Sequence, residues 1–290
     1  MRSRMNAPSC STRARRTATR WFHQARSAYV RRQHAFGPDA FLSALRKVGV
    51  SPGDVLMVHS SFDRFRGFTG KPIDVILALQ EAVGGAGTLL MPTMPFSGLA
   101  LEYIAQGEIL DVRRTPSRMG LLTELFRRLP DVVRSVHPTH PVAAWGANAG
   151  AMVAGHHLAG TPCGTGTPFA RLLDYRGKIL LLGTGVAAIT FFHAAEEILE
   201  PVMPFTPFTK ETFSLRCRDK DGNIVVCQTR LWDPELARRR NPAKLVATMK
   251  QRGLWHEDRV GRLKFVLLHA QDVLDTLRLL AERGIYCYDG

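Results

Sequence analysis

Four stretches of the chain gather side chains of catalytic type. In the segment Thr190–Leu199, His193, Glu196 and Glu197 stand three and four residues apart, which puts them on one face of a helix. A carboxylate beside an imidazole orients the ring and raises its basicity, as general-base chemistry requires. The same spacing also fits an ordinary surface His–Glu pair. His59-Ser60-Ser61 follows the apolar run Val55–Val58, so it stands at the end of a strand; with no G-x-S-x-G it is not a nucleophile elbow. In Arg134-Ser135-Val136-His137-Pro138-Thr139-His140-Pro141 the two histidines suggest a metal pair. The prolines hold that segment extended, and no third ligand stands at a suitable spacing, so no metal is expected. The fourth stretch, His156 to Pro168, carries His157, Cys163 and Gly164-Thr165-Gly166-Thr167, whose amides and hydroxyls suit a phosphate or a pantetheine arm. Cys163 reads as a small buried side chain. A P-loop is excluded, because Phe65 stands where its first glycine belongs and Pro72 follows Gly70-Lys71.

The elements that must position these residues follow an alternating grammar. Pro38–Val48 reads as an amphipathic helix, Val55–Val58 as a buried strand, and Pro72 to Val83 as a second helix opened by proline. Gly84-Gly85-Ala86-Gly87 stops that helix, and Thr88–Met91 is the next strand. A strand–helix–strand unit of this kind predicts parallel pairing. Ser117 to Arg128 reads as helical, Val132–Val136 as extended and Lys178–Leu182 as a buried strand feeding the Thr190–Leu199 helix. Asp219-Lys220-Asp221-Gly222 between two alternating runs predicts a hairpin, and Leu268–Arg283 a closing helix. The expected fold class is α/β: a mixed, largely parallel central sheet flanked by helices, with an antiparallel C-terminal elaboration.

Composition narrows the function. With 45% hydrophobic and 22% charged residues the chain has the material for a core, and no run of about 18 apolar residues offers a membrane span. Five scattered cysteines without a CxxC pair fit reduced thiols and a cytoplasmic location. The net charge of +14 suggests nucleic acid, yet residues 1–36 hold nine arginines and no acid, leaving 30 basic against 25 acidic residues from Gly37 onward. Residues 1–36 therefore read as a basic, flexible extension, with 37–290 as the domain. No nucleic-acid partner is expected.

Taken in order, these segments resemble the aminoglycoside 3-N-acetyltransferase family, also called antibiotic N-acetyltransferases. The resemblance rests on Val58-His59-Ser60-Ser61, Gly87-Thr88-Leu89-Leu90-Met91-Pro92-Thr93, Thr115-Pro116-Ser117-Arg118-Met119-Gly120 and Arg134-Ser135-Val136-His137-Pro138. It continues through Ala144-Trp145-Gly146, the loop from His157 to Pro168, Leu181-Leu182-Gly183, His193-Ala194-Ala195-Glu196 and Val260-Gly261-Arg262-Leu263. It implies an antibiotic N-acetyltransferase fold rather than the GNAT fold. The implied activity is direct acetyl transfer from acetyl-CoA, as co-substrate, to an amine of an aminoglycoside or amino sugar. By the same resemblance His193 or His157 is the base, Glu196 its orienting carboxylate, and His59 lines the thioester. Ser60, Ser61, Thr115, Ser117, Met119, Arg134 and Ser135 are then coenzyme contacts, with Arg134 as phosphate partner and helical amides near Ser117 assisting. A homodimer is compatible with it.

Pro141, Thr167 and Cys163 depart from the family pattern, and Cys163 is expected to reshape the acceptor pocket. Polycationic aminoglycosides call for an acidic cleft, for which Asp63, Glu102, Glu196, Glu197 and Glu200 are candidates. Two alternatives stand beside the transferase. One is a basic-tailed nucleic-acid or membrane-surface adaptor on a degenerate acetyltransferase scaffold; the other is a hydrolase using Ser60 or Ser61.

Overall fold

A computed structural model describes residues 34–289. Ten strands form two sheets: β1 (Val55–Ser60), β2 (Thr88–Pro92), β3 (Leu110–Asp111), β4 (Val133–Arg134), β5 (Val142–Gly146), β6 (Lys178–Leu182), β7 (Phe213–Arg218), β8 (Ile224–Thr229), β9 (His256–Val260) and β10 (Leu263–His269). The seven-stranded sheet has the order β4-β5-β2-β1-β6-β10-β9, and the smaller one β3-β7-β8. Parallel pairing in the large sheet is confined to its centre, where β1 lies between β2 and β6. The outer strands β5, β4, β10 and β9 all pair antiparallel. The sheet is thus mixed as expected, with its parallel part limited to three strands. The Asp219–Gly222 turn joins β7 to β8 as predicted.

The strand residues sort by face. Leu56, Val58, Leu89, Met91, Leu180 and Leu182 pack with helices α1 (Pro38–Val48) and α2 (Pro72–Val83). Val55, Met57, Leu90, Ile179 and Leu181 pack with α3 (Phe191–Leu199), α4 (Ala243–Gln251) and α5 (Ala270–Ala281). A strand buried on both faces has no polar alternation, which is why β1 and β6 read as continuous apolar runs. Both α1 and α2 have the limits predicted from the sequence.

Two expectations shift. The helix placed over Ser117 to Arg128 is only Leu121–Phe126, because Gly120 at φ +119° breaks the chain direction and Ser117 N–H is taken by the Glu124 carboxylate at 2.7 Å. That short helix does not begin at Ser117, so the helical amides invoked there are not present. At the expected boundary, Phe36 is buried, bridges to Phe68 and packs tilted against its ring at 5.4 Å. The rest of the basic extension, residues 1–33, lies outside the described residues.

Candidate active site

Open α/β sheets bind ligands beyond the carboxyl ends of their parallel strands, where neighbouring connections diverge. Here that edge holds a cleft of two lobes. The first, about 360 Å³, is lined by His59 and Ser60 from the end of β1, Pro92 from β2, Met94, Met119 and Thr184 after β6. The second, about 340 Å³, is lined by Leu99, Leu101, Trp232, Pro234 and Ala237. Phe96, His140, His193 and Arg240 line both lobes and so mark their junction. Thr184 also borders a third depression of about 360 Å³, walled by Arg64, Arg66, Arg262 and Lys264. At its edge Gly183, at φ +64°, lets the chain pass so close to Arg64 that a Cβ would meet the Arg64 Cβ at 2.5 Å.

His193 is held from both sides. Its Nδ1 lies 3.2 Å from Glu196 Oε2, one helical turn on, and its Nε2 lies 2.7 Å from Arg240 Nη1. Since guanidinium only donates, Nε2 accepts, and the ring proton belongs on Nδ1, facing the carboxylate. Trp232 packs on the imidazole with centroids 4.0 Å apart. Glu196 is buried behind the ring, and the Tyr288 hydroxyl donates to its other oxygen. Burial pushes this carboxyl up to about 7, against the downward pull of Tyr288 and Arg240. Burial, then the Arg240 charge, then His140, hold the His193 imidazole well below its usual range. The ring is therefore neutral at physiological pH, as a base must be before reaction. Arg240 also donates to the Ala187 carbonyl and lies over the Phe192 ring at 5.1 Å.

His59 closes the floor of the first lobe. It is buried, its Nε2 has no hydrogen-bond partner among the described residues, and burial lowers it to about 4. An orphaned imidazole nitrogen at a cleft wall suits a ligand that brings its own polar atom. His140, weighed in the sequence only for metal, has Nδ1 2.9 Å from Thr139 Oγ1 and is lowered by burial to about 4. Among the described residues no group of three or more His, Cys, Asp or Glu side chains is placed to hold a metal ion.

Several residues chosen from the sequence belong to the scaffold instead. Arg134 is buried and spends its guanidinium on Thr93 Oγ1 (2.9 Å), Thr93 O (2.6 Å), Thr115 O (2.7 Å) and Val112 O (3.3 Å). It is not available to a phosphate. Ser135 Oγ bonds His156 Nδ1 and accepts from Val142 N–H, both at 2.8 Å. Thr115 Oγ1 accepts from Asp111 N–H, and Ser117 Oγ bonds Thr123 Oγ1. These four knit the loops around β4 and do not line the cleft. Ser61 follows β1 but lines neither lobe, and no histidine among the described residues hydrogen-bonds Ser60 or Ser61. His157 sits on the short turn His156–Leu158 and lines neither lobe; its neighbour His156 is the buried one. Cys163 is sealed in the core and lines neither lobe, so it does not shape the acceptor side. His193, Glu196, His59, Ser60 and Met119 are brought together. Arg240, Tyr288, Trp232 and His140 complete the site; of these only His140 stood near a sequence signal.

The profile of the aminoglycoside 3-N-acetyltransferase family matches residues 57–281. The chain belongs to that family. Its members are acetyltransferases. A relative from Salmonella, aminoglycoside N(3)-acetyltransferase IV, is 37% identical over 166 residues, which span 57% of this chain and 60% of that enzyme. The crystal structure of aminoglycoside acetyltransferase AAC(3)-Xa superposes with a TM-score of 0.76 at 27% identity, covering 89% of this chain and 98% of that one. A histidine-to-alanine variant of AAC(3)-IVa, solved in complex with a gentamicin, gives 0.70 at 29% identity over 87% of this chain and 91% of that one. The match to the family profile begins within β1 and runs through β2, β6 and the His193 helix.

Proposed function

We propose that this protein transfers an acetyl group from acetyl-CoA to an amine of an aminoglycoside or amino sugar, without an acyl-enzyme. The observation that carries this reading is the His193–Glu196 pair at the junction of the two lobes. In this reading the pantetheine arm lies along His59, Ser60 and Met119. The donor's phosphates reach the depression walled by Arg64, Arg66, Arg262 and Lys264, the role that Arg134 is too occupied to fill. The acceptor enters the second lobe, against Trp232.

An ammonium must lose a proton before nitrogen can attack a thioester carbonyl. His193 Nε2 takes that proton, with Glu196 fixing the ring and stabilising the imidazolium that forms. Nε2 is accessible to the amine only when the Arg240 guanidinium moves off it. The C–N bond forms as the C–S bond breaks, and the departing thiolate, a good leaving group, takes the second proton that the nitrogen sheds on becoming an amide. His59 and the adjoining strand-end amides face the carbonyl oxygen as charge builds there.

The test is His193→Ala, assayed by thiol release from acetyl-CoA and by calorimetric CoA binding. The expected result is a loss of roughly 10²- to 10⁴-fold in turnover with CoA affinity retained. Equal turnover in both proteins would remove His193 from the chemistry. Failure of the wild type to bind CoA would remove the donor assignment.

A further inference from the structure

The cleft carries an unexpected charge for a protein similar to enzymes that hold gentamicin. Among the described residues no Asp or Glu lines either lobe. The five acids put forward from the sequence are all elsewhere. Asp63 is exposed on the turn after β1, Glu196 lies behind His193, and Glu197 accepts from Thr161. Glu200 accepts from Thr206 and lies 3.8 Å from Arg230. Glu102 approaches the rim behind Gly98 but is not part of the wall. Of the acids that follow Trp232, Asp233 caps the helix Pro234–Arg239 and Glu235 pairs with Arg238. Residues 1–33 contain no acid, so that segment has no carboxylate to bring. The fixed charge in the wall is the Arg240 guanidinium, which both lobes share.

We infer that Arg240 selects the acceptor, and that the acceptor is an amine carrying its own carboxylate or phosphate rather than a polycation. The inference rests on the acetyltransfer reading above and deepens it. Arg240 uses one N–H on His193 Nε2 and one on the Ala187 carbonyl, leaving three of its five for a ligand. A planar fork of this kind pairs with carboxylate or phosphate through two parallel hydrogen bonds. A substrate anion that takes a two-point hold on the edge containing Nη1 competes with His193 for the guanidinium. Binding the anion then draws Arg240 away from Nε2 and opens that nitrogen to the amine of the same molecule. Recognition and release of the base become one event. A polycation would instead meet this guanidinium in a wall that presents no carboxylate of its own, since Glu196 lies behind His193.

Calorimetry with four probes tests this: glucosamine 6-phosphate, 2-amino-2-deoxyglucuronic acid, glucosamine and gentamicin. In the wild type the phosphate or the carboxylate probe binds at least tenfold more tightly than glucosamine, and gentamicin most weakly. Which anionic probe leads separates the phosphate source from the carboxylate source. In Arg240→Gln the ratio of anionic to neutral affinity falls at least tenfold, and Arg240→Lys keeps part of it. Wild-type preference for gentamicin, or equal affinity for glucosamine and both anionic probes, overturns the inference whether or not the variants fold. Thiol release with the same probes keeps the two readings apart. Preferred binding of an anionic probe without turnover keeps Arg240 as an anion-selecting group but overturns its assignment to an acetyl acceptor, together with the transferase reading. Turnover with gentamicin preferred does the reverse.

Discussion

His193 and His156 are each engaged through both ring nitrogens, in clusters of similar composition. His193 lies between Glu196 and Arg240; His156 lies between Ser135 Oγ at 2.8 Å and the Pro162 carbonyl at 2.9 Å, with Arg134 next to Ser135 in the chain. The partners differ in kind. Those of His156 are neutral groups held by the fold, and the ring is fully buried against His137 at 4.5 Å. Those of His193 are ionic, sit at a cleft wall and are joined by long side chains. A saturated neutral knot fixes the loops around β4, whereas a charged pair at a cavity can exchange a partner for a substrate. In the proposed mechanism the same residue type thus serves stability in one place and chemistry in the other.

The sharpest way to break this comparison is acid. His59, His137, His140 and His156 are buried, and burial holds each below the ordinary value of 6.5. Below pH 6.5 the unfolded chain takes up protons that these rings refuse, so stability present above that pH is lost as pH falls toward 4. At about 1.4 kcal/mol per group per pH unit, these four rings and His193, less the opposing Glu196 carboxyl, give a net slope near 5 kcal/mol per unit. Since whole domains hold only about 5–15 kcal/mol, unfolding should be complete near pH 5. Tryptophan fluorescence against pH measures it. A fold intact at pH 4 would mean that these rings titrate in place.

Next in size is Arg134→Met. Removing the guanidinium strands the carbonyls of Thr93 and Thr115 and the Thr93 hydroxyl, at a cost of about 3–5 kcal/mol. Urea unfolding should show this, with the KM for acetyl-CoA little changed in whatever fraction stays folded. A raised KM with unchanged stability would return Arg134 to the ligand side.

Glu196→Gln bears on the other cluster. In the wild type the folded carboxyl keeps, between pH 4.5 and about 7, a proton that the unfolded chain releases. Stability therefore falls as pH rises through that window, by up to roughly 3 kcal/mol, and levels off above it. Glutamine still accepts from Tyr288 and does not titrate. The variant should gain on the wild type by about 2–3 kcal/mol between pH 5 and pH 8, while turnover drops by about tenfold or more. Equal denaturant midpoint differences at both pH values would show a carboxyl with ordinary titration.

Much of the frame is legible in the residues because it follows local rules. Pro38–Val48 and Pro72–Val83 carry helical periodicity with proline at the first turn, and Asp219–Gly222 has hairpin turn chemistry. Strand β5 gives no such signal: Ala143 and Ala144 have no strand preference, and their pairing beside β2 is decided by burial. The site divides the same way. His193 and Glu196 share one helical turn, so their spacing announces them. Arg240 and Tyr288 arrive from 47 and 92 residues away, and nothing near either in sequence marks it. Arg134 and Ser135 misled for the opposite reason. Their motif resembles a family pattern, yet a motif records that residues matter and not whether they hold a ligand or the chain.

The smallest expected effect separates His157 from His193, the two base candidates that the sequence left level. His157 lies on a short surface turn, half-buried, and lines neither lobe, whereas its neighbour His156 anchors that turn to Ser135 and Pro162. His157→Ala should change turnover by less than about threefold and stability by under about 0.5 kcal/mol, the usual range for surface positions. His156→Ala in parallel should destabilise by about 1–3 kcal/mol, because Ser135 Oγ loses a buried partner. Should His157→Ala abolish thiol release at unchanged stability, the base would belong on this turn. The cleft would then have to close by bringing His157 to the junction now held by His193.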